Sequence, residues 1–202
     1  MMRNESIPAA KEPKTAKGEA TRRAILAAAE MVIGRLGFNE ASIGEITRVA
    51  RVAQGTFYIY FKSKDEIFSE LVAEMGRSLR HEISMATHGI ADRLTAEREG
   101  LRAFLTFVAA HPELYRIVQE AQFVDPEAYR AYFRTFANGY RHGLAEAVKV
   151  GEIRPGDAEI RAWALMGIAR SLGERAVIFG ENTTIDDVVQ SAHDLIVHGL
   201  KR

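Results

Sequence analysis

Apolar residues recur along this chain at intervals of three and four, the period of an amphipathic helix, and nowhere alternate as a half-buried strand requires. From Thr21 to Leu36 the apolar positions are Ala24, Ile25, Ala28, Met31, Val32 and Leu36, and Gly37 supplies the stop. A second helix opens at Ser42. Glu45 follows three residues on, the spacing of a capping box, and Ile43, Ile46, Val49 and Ala50 form its stripe. Arg51, Val52 and Ala53 then make a tight connection to a third helix from Gln54 to Tyr60. There Phe57 and either Tyr60 or Phe61 can face inward while Gln54, Thr56 and Tyr58 remain outside. Two short helices joined by about three residues form the helix-turn-helix pattern, whose second helix enters the DNA major groove.

The same period continues to the end. A fourth helix begins with a second capping box, Ser63 and Glu66, and carries Ile67, Phe68, Leu71, Val72, Met75 and Leu79 to about Thr87, with Gly89 beyond its end. With no break in it, this helix is the candidate rod for transmitting a shift from one part of the chain to the other. From about Asp92, Leu101, Phe104, Leu105, Val108 and Ala109 mark a helix that ends at His111–Pro112. Pro112 and Pro126 each occupy a favoured first-turn position, the first opening a short helix with Leu114, Tyr115, Ile117 and Val118, the second a longer one stopped at Gly151. After the loop GEIRPG, Asp157 caps a helix to about Phe179, and Thr184 with Asp187 opens the last, to about Leu200. The expectation is an all-α chain of nine helices, three in a reader domain and six in a body.

Composition changes this picture in two places. Lys plus Arg and Asp plus Glu balance at 27 each over 202 residues, yet the balance is uneven along the chain. Up to Lys64 there are eleven cations against six acids, and from Asp65 onward sixteen against twenty-one. The basic part is the part with the helix-turn-helix, as phosphate binding requires. Cysteine is absent, which removes disulfides and thiolate chemistry. No apolar run reaches the roughly 18 residues that span a bilayer, and the first twenty residues lack the apolar centre of a signal peptide, so a cytoplasmic protein without membrane attachment is expected. Residues 1–20 read as a disordered basic arm, either inert or brushing phosphates through Lys11, Lys14 and Lys17.

The run GTFYIYFKSKDEIF, with ITRVARVAQ before it and TRRAILAAAEMVIGRLGF upstream, resembles the amino-terminal DNA-binding domain of the TetR family of transcriptional repressors. The resemblance is specific over about residues 21–70 and architectural beyond. It implies a helix-turn-helix domain over 21–63 followed by an effector-binding and dimerisation domain over 64–202. It also places Gln54, Gly55, Thr56, Tyr58 and Lys64 at DNA-contact positions, the last two mainly on phosphates. The residues themselves fit: Gln can pair bidentately with adenine, and Thr can meet thymine through its hydroxyl or methyl. Arg22, Ser42, Arg51 and Tyr60 complete the expected set, Arg22 because a cation in a first turn opposes the helix dipole and invites an external anion. Packing competes with DNA contact for Tyr58 and Tyr60. Two positions depart from the family pattern: Arg51 replaces a frequent turn glycine, and Ala53 replaces a frequent capping serine.

In the body, Phe104, Phe107, Tyr115, Phe123, Tyr132, Phe136 and Tyr140, with Trp163, Met166 and Arg170, are the expected ligand-binding residues. They supply more large side chains than a small bundle needs, and a cavity between helices would use them. Ordinary core is the competing reading for each. The family's bodies bind a small effector, often apolar, and the segment 111–139 resembles bodies associated with acyl-CoA or aromatic-acid metabolism. By the same resemblance the last two helices pair with a second copy in a four-helix bundle through Leu165, Ala169, Leu172, Val188, Ala192, Leu195 and Ile196. A palindromic operator independently demands a two-fold partner, with half-sites about 34 Å apart or a multiple of it.

An enzyme is not expected, and neither is a metal or cofactor. The six histidines show no ligand spacing, and there is no glycine-rich phosphate loop and no serine in a nucleophile elbow. The sequence reads as a homodimeric, ligand-responsive repressor bound to a double-stranded operator and released by a small apolar or acyl effector. The alternative is a helical ligand- or partner-binding protein without specific operator recognition.

Overall fold

The computed structural model describes residues 15–180 and 183–200, with the Leu200 side chain outside the description. Every regular element among them is helical: α1 (Ala16–Leu36), α2 (Ile43–Ala50), α3 (Gln54–Tyr60), α4 (Lys64–Thr87), α5 (Arg93–Ala110), α6 (Pro112–Val124), α7 (Pro126–Lys149), α8 (Ala158–Val177) and α9 (Ile185–Leu200). The caps expected at Ser42, Ser63, Asp157 and Thr184 are formed. Ser42 Oγ accepts from the Glu45 amide at 3.1 Å, Ser63 Oγ from Glu66 at 3.2 Å, Asp157 Oδ1 from Glu159 and Ile160, and Thr184 Oγ1 from Asp187 at 3.2 Å. Asp92 caps α5 through the Thr95 amide at 2.7 Å. The Thr95 side chain, together with that amide bond, holds the Asp92 carboxyl below the usual range.

One boundary differs. The arm expected over 1–20 gives way to helix from Ala16, because Thr15 caps it through the Gly18 amide at 3.1 Å and Thr21 donates back to the Lys17 carbonyl. Lys11 and Lys14 lie outside the described residues, while Lys17 is helical and exposed. The buried stripe of α1 also differs: Ala29, Ile33 and Gly34 join Ile25, Ala28 and Val32, whereas Ala24, Met31 and Leu36 are exposed. With apolar residues on both candidate stripes, the period alone could not choose between them. Packing against α2, and the approach of Glu113 to Gly34, made the choice.

The chain divides into two compact units. The first takes residues 1–75 and 113–129, so the reader helices are joined by the first half of α4, by α6 from Glu113 and by the start of α7, beyond the 63/64 boundary expected from sequence. Its fully buried large side chains include Ile25, Ile33, Ile46, Phe57, Phe61, Phe68 and Ile117. The second takes 76–112 and 130–202. Here α5 packs on both α8 and α9, and two apolar clusters form, one around Leu144, Ala147, Ala162 and Leu165, the other around Leu101, Leu105, Val189 and Ala192.

The α2–α3 connection carries two local costs. Arg51 ends α2 in the left-handed region, φ 57° and ψ 41°, and Ala53 precedes α3 with no side-chain cap. Arg51→Gly is expected to raise stability by about 1 kcal/mol by relieving the Cβ clash, and Ala53→Ser by about 1 kcal/mol by supplying a cap. Gly34→Ala is expected to lower it by about 1–3 kcal/mol, because the new methyl meets the Glu113 backbone. Urea denaturation midpoints at constant slope would check all three.

Candidate functional site

The turn that aims α3 is built from α2. Thr47, buried, donates its hydroxyl to the carbonyls of Ile43 at 2.9 Å and Gly44 at 3.0 Å, and its own carbonyl accepts from the Val52 amide at 3.0 Å. Phe57 is wholly buried and packs on Phe61 with ring centroids 5.7 Å apart. With that anchor inside, the helical period leaves Gln54, Gly55, Tyr58 and Ile59 exposed and Thr56 and Tyr60 half-buried. Tyr58 crosses the Phe57 ring edge-on at 5.5 Å and still exposes 39% of its surface, so it packs on one side and remains accessible. A Cβ at Gly55 would meet nothing within 4 Å, so a partner can come close to the backbone there.

Other members of the expected DNA-contact set are differently engaged. Lys64 donates Nζ to the carbonyls of Phe38, Ala41 (2.7 Å) and Asn39 (3.4 Å), and lies 4.3 Å from the Phe38 ring centroid. Its three donors close the α1–α2 connection rather than facing outward. Arg22 pairs with Glu70 at 3.4 Å and covers the Phe61 ring at 5.1 Å, so the anion that its first-turn position invited is intramolecular. Ser42 is an exposed cap whose own O–H remains able to donate. Arg51 is exposed beside the turn.

One residue had no signal in the sequence. Glu120 of α6 accepts the Phe38 amide with both carboxylate oxygens, at 2.8 and 3.0 Å, and Gly37 before it has φ 82°. On the same helix Glu113 pairs with Arg35 at 3.6 Å. Ser69 of α4 bonds to Asp125, whose other oxygen caps α7 through the Ala128 amide at 3.0 Å.

The aromatic residues expected to line one ligand pocket are dispersed. Tyr115, buried, and Phe123, 81% exposed, belong to the first unit. In the second, Phe104 packs against the Leu101 cluster and Tyr132 packs on Phe136 at 5.0 Å, while Met166 is buried and Arg170 half-buried. Trp163 is partly exposed, donating its indole N–H to Glu159 at 2.9 Å. Phe107 borders an open hollow of about 560 Å³ with Met85 and Arg102, and Tyr140 lines a separate cavity of about 170 Å³ with Arg93 and Glu97. The spacing of aromatics along the chain could not separate these surroundings, because one helix face serves different neighbours along its length.

Glu97 is 4% exposed and accepts hydrogen bonds from the Arg93 guanidinium and the Tyr140 hydroxyl. Burial pushes its carboxyl up, against the opposing pull of Arg93, and pushes the Tyr140 phenol up as well. Of the expected dimer stripe, Leu165, Ala169, Leu172, Val188, Ala192 and Ile196 pack within the chain, while Leu195 is 66% exposed. The large apolar residues that α8 exposes are Ile160 and Trp163, with Gly167 also exposed.

Removing the clamp at Phe38 with Glu120→Ala is expected to destabilise the first unit by about 1–3 kcal/mol, with Glu120→Gln recovering part through its remaining acceptor. Hydrogen exchange at the Phe38 amide is the direct readout: fast in the alanine variant, slow in the parent.

Residues 25–71 match the family model described as bacterial regulatory proteins, tetR family. The fatty acid degradation regulator FadR from Bacillus halodurans superimposes with a TM-score of 0.82 at 20% identity, over 95% of this chain and 100% of that one. FadR from Bacillus subtilis, in complex with stearoyl-CoA, gives 0.79 at 21% over 88% and 98%. AibR, in complex with isovaleryl coenzyme A and operator DNA, gives 0.73 at 18% over 87% and 97%. No helix of the described residues is long and apolar enough to cross a membrane. Residues 25–71 thus carry the domain that the tetR-family model describes, and the chain as a whole shares the fold of these solved regulators.

Proposed function

We propose that this protein is a homodimeric repressor that reads a palindromic operator through α3 and leaves it when a small apolar or acyl effector occupies the second unit. The observation that carries the reading is the division of α3 between a buried Phe57 and an outward set of Gln54, Gly55, Tyr58 and Ile59, with Thr56 at the margin. A seven-residue helix anchored by one aromatic leaves its remaining side chains for a partner, and these can reach base edges and phosphates. Arg51 adds an exposed cation beside the turn. The ligands held by AibR and FadR support an acyl-CoA as the first effector class to try. Exposed Leu195, Ile160 and Trp163 support a partner face on α8 and α9. An effector must bind the two poses of the dimer differently to release DNA.

The test is binding to the DNA flanking the protein's own coding region, over a salt series, with an acyl-CoA chain-length series added. Tight binding centred on a palindrome is expected, lost by roughly a hundredfold or more in the Thr56→Ala/Tyr58→Ala double variant. Arg51→Gly is expected to reduce the salt slope by about 1. Weak binding indifferent to sequence and to the double change would favour a ligand- or partner-binding protein without operator recognition.

A further inference from the structure

A half-open cavity lies beside the buried Glu97 in the second unit. Most of its wall is small or apolar: Ile83 and Thr87 from α4, Ala96 and Gly100 from α5, Gly139 from α7. Thr87 turns its hydroxyl back to the Ile83 carbonyl at 2.8 Å, and a Cβ at Gly100 would meet the Thr87 methyl at 3.6 Å. At residue 139 a Cβ would meet nothing within 4 Å. Glycine inside a helix costs about 1 kcal/mol relative to alanine. Two such costs beside one cavity are offset only if the space has a use.

The polar wall is a closed charge pair with donors left over. Arg93 gives Nη2 to Glu97 and lies with its guanidinium carbon 5.8 Å from the Tyr140 ring centroid. Its Nη1 lies where a Cβ on Gly143 would otherwise stand, and its Nε is buried with no hydrogen-bond partner. The Arg93 amide donates to Glu152 at 3.1 Å, which ties down the first turn of α5. Because Glu97 already neutralises Arg93, a second carboxylate in the cavity would be an uncompensated charge. An uncharged oxygen acceptor would meet a guanidinium with unused N–H groups. As for size, a cavity of about 150 Å³ is enough for benzene, and this one measures about 170 Å³.

We propose that the cavity bounded by Arg93, Glu97, Gly100, Gly139 and Tyr140 binds an uncharged, single-ring-sized molecule carrying a carbonyl-type hydrogen-bond acceptor. This deepens the ligand-response reading, and rests on it for the regulatory consequence alone, since occupancy is measured without DNA.

The test uses the full chain, labelled with nitrogen-15, and three probes of one size: acetophenone, benzoate and toluene. Acetophenone at millimolar concentration is expected to shift the amides of Thr87, Gly100 and Gly139, with benzoate at least tenfold weaker and toluene severalfold weaker. Ala96→Leu, which fills the space, should weaken acetophenone at least tenfold. Gly100→Ala, whose methyl fits at ordinary contact distance, should weaken it severalfold in a protein that melts no lower than the parent. Benzoate binding as tightly as acetophenone would overturn the proposal. So would affinity unchanged in both filled variants, or cavity amides unmoved by acetophenone, which would make the space solvent around a structural ion pair. If an acyl-CoA releases the operator while acetophenone leaves these amides unmoved, this inference falls and the ligand response stands. If acetophenone fills the cavity while no ligand affects DNA binding, the cavity site stands and the ligand response falls.

Discussion

The connection from Phe38 to Ala41 is held by opposite charges working on opposite ends of its peptide groups. Lys64 collects carbonyls of Phe38, Asn39 and Ala41, and Glu120 takes the Phe38 amide with both oxygens. A loop that ends one helix and begins another carries orphan donors and acceptors on both sides, and here the partners come from α4 and α6. The placement of α2 relative to α1 depends on these bonds, and α3 is placed by α2. A change that moves Lys64 or Glu120 therefore reaches the recognition helix through a chain of packed and hydrogen-bonded groups within one unit. That also explains why α6 belongs with the reader, despite lying about eighty residues further along the chain.

Local stability at the reader is not maximal. The turn residue Arg51 occupies a backbone region that glycine adopts more easily, and α3 begins without a capping side chain. Both features lie at the turn into α3, where Arg51 and Ala53 are exposed. Ser42, Asp92 and Asp157, by contrast, each cap their helix with a side chain.

The second unit shows a different compromise. A carboxylate and a guanidinium are taken out of water together, joined by a tyrosine hydroxyl, beside glycines that weaken their own helices. A buried pair of this kind seldom adds stability over apolar packing of the same volume. Its consequence is chemical: one wall of an otherwise apolar space acquires fixed polarity and no net charge.

The helices themselves were legible in the chain. Their number, the caps at Ser42, Ser63 and Asp157, and the proline starts at Pro112 and Pro126 follow from interactions within one turn, which need no knowledge of what packs where. Gln54 and Tyr58 on α3 were legible as outward for the same reason, given Phe57 and its neighbour Phe61 inside, whereas Thr56 is half-buried and Ile59 is exposed. Neighbours distant in sequence decided what remained. Whether Lys64 faces a phosphate or a carbonyl, whether Arg22 finds DNA or Glu70, and whether Leu165 meets a second copy or its own core depend on which surface lies opposite. Periodicity names the face of a helix that is buried, and only tertiary packing supplies the partner.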